Sequence, residues 1–482
     1  MKDPINPSEE LSDKEFIRYR TNFGVNLAAC FVRARWMFPG SVISPEFNTE
    51  LQSLRSEVNS WGRDGARDFL EKFWRGFMTD DDWKWIQSKG MNSVRVPIGY
   101  WNIDGGNFTE GTKFAEFADI YRNSWQIFKS HFIEAAARFN ISVLVDVHAL
   151  PGGANLLSLS GEDETAEFWN DEKKQDLMVE AVRFIARDLK NYANITGIQI
   201  VNEAAYNAFK GQTRYYEKAM RAIREEDNSI PVVISDAFDP MKYSQWVQEI
   251  QGNKQNFGLI VDFHCYRDIN EADRKKSVRQ IIDDLDYDFV ETSNGNSNDV
   301  DFMLGEYFCR LSEESWQLSG LDYQATNERR KLAAEFGRKQ IELAVKRTSA
   351  AIYFFNYKFE FPLGEMDARD MFEGYLKTPS VSMPPEGLFE KLRDEAYDMH
   401  VAFWTQQGFH YDFEIYKVGF EAGWSDCSGF AERGAMIGRR QALKFARKQE
   451  YVQKKGDLEF IWQFDHGYDK ALFEFRSRFY KT

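Results

Sequence analysis

Eight short runs of β-branched and aromatic residues punctuate this chain, each followed by a stretch that can form a helix, and few folds accept that rhythm. The runs are 23–29 (FGVNLAA), 93–98 (SVRVPI), 143–149 (VLVDVHA), 197–203 (GIQIVNE), 231–237 (PVVISDA), 259–266 (LIVDFHCY), 301–307 (DFMLGEY) and 350–357 (AAIYFFNY). Alternation of strand and helix implies parallel pairing, and eight strands are enough to close a parallel sheet on itself. Most of the runs are apolar almost throughout, as strands must be when helices cover them outside and side chains fill the space within.

The intervening stretches agree. Thr79 followed by Asp80, Asp81 and Asp82 is a helix start, Gly90 is a stop, and the run at Ser93 follows at once. Residues 112–139, 165–191, 212–226, 240–251, 270–285 and 323–347 carry helical spacing or composition, and the long connection 30–78 is expected to hold extra helices around 48–75. Residues 291–300 (ETSNGNSNDV) read as a polar, turn-rich loop before the seventh run. Beyond the eighth run, Pro362, Pro379, Pro384 and Pro385 mark a linker, and 386–482 reads as three or four amphipathic helices. The predicted fold is an α/β chain, a (β/α)8 barrel over 14–380 with a helical C-terminal extension over 386–482 packed on it.

With 482 residues, 43% of them hydrophobic and 16% aromatic, the chain has material for one large core. A formal net charge of −15 argues against binding a phosphate backbone, so no nucleic acid is expected as partner, and Arg439, Arg440, Lys444, Arg447 and Lys448 read as a solvated face. Residues 1–20 contain no apolar leader core, and no stretch reaches the ~18 apolar residues of a membrane span. A cytoplasmic protein without an integral membrane segment is therefore expected. Cys30, Cys265, Cys309 and Cys427 are widely spaced and form no CxxC pattern, so neither a disulfide framework nor a zinc knuckle is indicated, and no cofactor is expected.

In a parallel barrel the reacting groups gather at the carboxyl ends of the strands. Read there, the chain offers Asn26, Arg95, Asp146 with His148, Asn202 with Glu203, Asp262 with His264 and Tyr266, Glu306, and Asn356. A carboxylate at the exit of an apolar strand is costly to bury unless partnered, so Glu203 and Glu306 point to one shared site. Two opposed carboxylates are the working parts of glycosidic-bond hydrolysis. Asp-x-His occurs twice, at 146–148 and 262–264, a pattern that can mark a metal centre. Only six histidines are available for the further ligands such a centre needs, so the two aspartates are read as partners orienting the imidazoles, and no metal is expected.

The stretch 69–86 (FLEKFWRGFMTDDDWKWI) followed by 90–101 (GMNSVRVPIGYW) resembles the helix and second strand of family 5 glycoside hydrolases of the fungal exo-β-1,3-glucanase type. Shorter matches follow in order at 145–153 (VDVHALPGG), 200–203 (IVNE), 261–266 (VDFHCY) and 304–307 (LGEY), so the resemblance spans about residues 20–360. It implies a retaining double displacement with Glu203 as general acid/base and Glu306 as nucleophile. Retention needs the two carboxyl groups ~5–5.5 Å apart, one protonated and the other ionised. By the same resemblance Arg95 pairs with Glu306, Tyr266 hydrogen-bonds it, Asn202 holds the sugar 2-hydroxyl, His148 and His264 position the sugar and the carboxylates, and Phe355 stands where the family places a tryptophan platform. The implied partner is a β-glucoside or oligosaccharide substrate.

Three departures bear on the substrate. Ala34 stands where the resembling enzymes have a glutamate that reads the terminal glucose, with Arg33 or Arg35 beside it as an alternative donor. Phe355 offers less stacking area than tryptophan and no indole N–H. Residues 154–160 (ANLLSLS) are apolar where a polar loop is usual, which favours a hydrophobic leaving group. The expected activity is a glucan 1,3-β-glucosidase or β-glucosidase. One alternative is the same chemistry on a glycolipid, and a second is a carbohydrate-binding protein that has lost turnover.

Overall fold

In the computed structural model, which describes residues 11–42, 46–162, 165–252, 256–289, 300–456 and 459–482, the eight runs are eight parallel strands closed into one barrel. They are β1 (Asn22–Asn26), β2 (Ser93–Gly99), β3 (Ser142–Ala149), β4 (Ile195–Gln199), β5 (Val232–Ser235), β6 (Leu259–Cys265), β7 (Asp301–Tyr307) and β8 (Ala351–Phe354). Closure comes from β1 pairing with β8, Asn22 opposite Ala351 and Val25 opposite Phe354. The loop expected at 291–300 lies, over 291–299, outside the described residues.

Helices cover the barrel where the spacing predicts them. Thr79 caps the helix Asp80–Ser88 with a reciprocal box, its hydroxyl accepting from the Asp82 amide while the Asp82 carboxylate accepts from the Thr79 amide at 2.8 Å. The first connection holds one long helix, Glu50–Phe77, broken at Gly62, whose φ of 71° no helical residue shares. Residues 112–139 are not one helix: a 3-10 segment, Ala115–Tyr121, precedes Ser124–Phe128, a wide turn at Lys129–Ile133 and Glu134–Arg138.

The barrel interior is layered. Leu144, Val233, Ile260, Met303 and Tyr353 form an apolar floor. Side chains alternate across a strand, so the next inward positions on β3 and β6 are Asp146 and Asp262, and the next are His148 and His264. The strands are thus not apolar throughout, because their upper inward positions are polar.

The extension is four helices, Leu388–Gln406, Glu414–Glu432, Arg440–Lys455 and Trp462–Phe479. They enclose a second core that also takes in Phe16 and Tyr19 from the N-terminal helix Asp13–Tyr19, so the chain's first helix packs with its last four. A two-residue antiparallel pair, Ser380–Val381 with Tyr480–Lys481, ties the linker to the end of the chain. The module sits under the amino ends of the strands: Asp301, the first residue of β7, accepts from the Gln441 and Ala442 amides at 2.9 and 3.2 Å. Its carboxylate thereby caps the helix Arg440–Lys455.

Candidate active site

Glu306 lies within β7, but Glu203 lies four residues past the end of β4 rather than closing it. The Ile200 amide makes one more ladder bond, to Val233 O at 3.0 Å, and side chains then take over the backbone. Gln199 donates to Val201 O at 3.2 Å, Asn155 Nδ2 to Glu203 O at 2.6 Å, and the Ala204 amide to Ser235 Oγ at 3.0 Å. Glu203 is thus carried by a braced loop.

The two carboxylates meet. An oxygen of Glu203, an oxygen of Glu306 and a ring nitrogen of His264 all lie within 4.8 Å of one another. That spacing suits attack by one carboxylate while the other hands over a proton. These three groups are also near enough to share a metal ion, yet both imidazole nitrogens are engaged. His264 Nδ1–H donates to Glu203 Oε1 at 2.8 Å and Nε2–H to Asp262 Oδ2 at 3.0 Å.

Arg95, fully buried on β2, organises the other half. Its Nη1 donates to Glu306 Oε1 at 2.7 Å and to Asn26 Oδ1 at 2.8 Å, its Nη2 to Asn202 Oδ1 at 2.6 Å, and its Nε to Gln199 Oε1 at 2.8 Å. Tyr266 donates its hydroxyl to Glu306 Oε2 at 2.5 Å. Burial by itself raises Glu306, but the charges of His264, Arg95 and His148 and the Tyr266 hydrogen bond outweigh it and hold the carboxyl below its ordinary range. Burial pulls His264 down, while Glu306 and Asp262 more than reverse this and hold the imidazole well above its ordinary value. His148 donates Nδ1–H to Asp146 Oδ2 at 2.7 Å, which leaves its Nε2 facing Asn202 Nδ2 at 3.5 Å. The two Asp-x-His pairs are therefore carboxylate and imidazole partnerships, as their spacing suggested.

The sugar-reading positions differ from expectation. Arg33 is not a sugar donor: it is buried between Glu50, at 2.9 Å, and Glu57, and it donates to Ser41 O at 2.7 Å, pinning the first loop to the helix Glu50–Phe77. Arg35 is half-buried and stays a candidate. Phe355 is 5% exposed, because Trp36, itself 47% exposed, stacks over it at 6.4 Å. The ring open to a ligand there is Trp36. Asn356 serves the backbone, accepting from the Ala28 amide at 3.0 Å.

Two further residues belong to the site. Gln199 closes β4 and is uncharged, and only the period-two pattern of the strand could have marked it as inward. Asp236 follows β5 and is pushed up to about 7, first by burial and then by Asp262 and Glu203, against the opposing Phe238 amide and His264.

Comparison with known proteins agrees with this geometry. Residues 56–341, more than half of the chain, match the model of cellulase, glycosyl hydrolase family 5, and residues 387–479 match the glucan 1,3-beta-glucosidase 3 C-terminal domain. An uncharacterized glycosyl hydrolase of Saccharomyces cerevisiae is 28% identical, covering 98% of this chain and 94% of the relative. Glucan 1,3-beta-glucosidase 3 of Schizosaccharomyces pombe is 30% identical, with coverages of 89% and 90%. Among solved structures, rutinosidase from Aspergillus niger superposes with a TM-score of 0.58 at 16% identity, covering 75% of this chain and 98% of that one, a likeness of fold. With Glu203, Glu306, Arg95 and Tyr266 assembled, the expectation of a binding protein without turnover loses its motive. The chain belongs to glycosyl hydrolase family 5 and is a glycoside hydrolase, with the retaining, two-glutamate chemistry that is a property of that family.

Proposed function

We propose that this enzyme is a retaining β-glucosidase acting on β-1,3-linked glucosides, with Glu306 as nucleophile and Glu203 as acid/base. The observation that carries the reading is the pair itself: two carboxylates and His264 within 4.8 Å, with Glu306 held ionised by Arg95 at 2.7 Å. The ionised carboxylate attacks the anomeric carbon while Glu203 protonates the departing oxygen. Water, deprotonated by Glu203, then releases the sugar with its configuration restored. Support for the linkage comes from the fission yeast relative and from the matched C-terminal domain, both named for glucan 1,3-beta-glucosidase 3. The test is hydrolysis of aryl β-glucosides and laminari-oligosaccharides, with proton NMR of the first-formed anomer. A β-anomer supports the reading, and an α-anomer or the absence of any cleavage overturns it.

A second reading, a glucoside with an apolar aglycone such as a glycolipid, has its own support. Glu203 protonates the leaving group, and the loops around it carry Leu156 (67% exposed), Leu157 (48%), Tyr206 (62%) and Phe238 (56%). Phe238 adopts a φ of 62°, which a bulky residue rarely does. Comparing kcat/KM for a lipid glucoside with that for laminaritriose decides between the two. The cytoplasm is proposed as the place of action, supported by four free, buried cysteines, and fractionation of a tagged protein tests it.

A further inference from the structure

Below the catalytic carboxylates runs a closed circuit of buried side chains. Glu306 joins Arg95, Arg95 joins Gln199 at 2.8 Å, Gln199 Nε2 donates to Asp262 Oδ2 at 2.7 Å, and Asp262 accepts from His264 at 3.0 Å. His264 then closes on Glu203, with the same Nδ1 3.7 Å from Glu306 Oε2. Gln199 and Asp262 are buried and touch no space a sugar could enter. Asp262 also depends on a specific vacancy in β7: a Cβ on Gly305 would lie 2.1 Å from its Oδ1. The residue directly before the nucleophile therefore has no side chain, and the aspartate two positions before His264 uses that room.

Resting on the function proposed above, we propose that Asp262, clamped by Gln199 and seated on Gly305, is a positioning residue that holds His264 so that one Nδ1–H serves the two catalytic carboxylates in turn. The reaction proposed above starts with Glu306 as the carboxylate that attacks and Glu203 as the group that gives the proton. The imidazole N–H occupies Glu203 Oε1, which leaves the proton on Oε2. When Glu306 bonds to the anomeric carbon its charge is consumed, the bond to the leaving oxygen breaks, and that oxygen takes the Glu203 proton. Negative charge has then moved from the carboxylate at 3.7 Å to the one at 2.8 Å from the same nitrogen. Hydrolysis of the ester returns it. The groups facing His264 are Asp262 from its own strand, Tyr266 one residue past that strand's end, Glu203 and Asp236 from the loops after β4 and β5, and Glu306 from β7.

The test separates acid assistance from attack. A dinitrophenyl β-glucoside departs without a proton, whereas an alkyl β-glucoside needs one, and general acid catalysis is worth about 10²–10⁴. Asp262→Asn is expected to lower kcat/KM on the alkyl glucoside by about 100-fold and on the dinitrophenyl glucoside by under about 5-fold. Gly305→Ala, which displaces Asp262, should repeat that selective loss. Equal losses on both substrates overturn the proposal. Nitrogen-15 histidine NMR of the wild type reads the same arrangement without turnover, the His264 signal being assigned as the one lost in His264→Gln. His264 doubly protonated at pH 7 in the wild type supports the proposal, and a neutral ring overturns it. Should the wild type cleave no glucoside, the function proposed above fails while the NMR still judges this one.

Discussion

Arg95 and Glu306 form a buried pair 2.7 Å apart, and the same guanidinium donates to Asn26, Gln199 and Asn202, so the counterion of Glu306 also orients three neighbouring amides. A lysine can supply the charge but not the planar fork. Arg95→Lys should therefore fold and lose about 10²–10³ in kcat/KM. Arg95→Leu, which takes from buried Glu306 and Asp146 the guanidinium that stands 2.7 and 3.0 Å from them, should lose about 3–5 kcal/mol of stability by urea denaturation.

Glu306→Gln removes the nucleophile with little change of shape. Turnover of an aryl β-glucoside should fall by on the order of 10⁴ or more. Residual activity within tenfold of wild type would show that another group attacks.

The sign of the pH dependence follows from Glu306. Its carboxyl is held below the ordinary 4.5, so the native state binds fewer protons than the unfolded one between the two values. Its contribution to stability is present above 4.5 and lost as the pH falls through the depressed native value. The acid limb of kcat/KM against pH should accordingly lie below 4.5.

Asp236 works in the opposite sense. Raised by burial from 3.8 to about 7, it makes the native state the better proton binder across that span, so stability falls as the pH rises through it. An asparagine can still accept from the Phe238 amide, a bond of 2.9 Å. Asp236→Asn should match the wild type near pH 4 and exceed it by about 2–4 kcal/mol at pH 8, as read by chemical denaturation.

In the C-terminal module, helices Glu414–Glu432 and Trp462–Phe479 approach through glycines. A Cβ on Gly419 would sit 2.1 Å from Phe464 O, and one on Gly467 would sit 2.0 Å from Tyr416 O. Gly419→Val must push the helices apart and should cost about 3 kcal/mol or more in thermal unfolding.

Much of this was legible beforehand, for identifiable reasons. The count of eight runs gave the barrel because helix-covered strands must be apolar, and the Thr79 cap was readable because its chemistry is local. Glu203 and Glu306 stood out as carboxylates at strand exits. Gln199 escaped notice because a neutral amide inside an apolar run carries no signal until its neighbours on β2 and β6 are known. Arg33 was misread for a related reason: its partners Glu50 and Glu57 lie 17 and 24 residues away, beyond a turn that sequence spacing does not resolve. Likewise nothing local in Phe16 or Tyr19 announces that they pack with helices some 400 residues later, where Phe16 stacks on Phe430 at 5.1 Å.

Asp301 and Glu306 share one strand, the first anchoring the C-terminal helices and the second proposed above as the nucleophile. Five residues of extended chain span about 17 Å, here with a register irregularity at Gly305. The helices of the module are thus anchored to one end of the strand that carries Glu306 at its other end. The extension is in this sense the footing of the strand on which Glu306 stands.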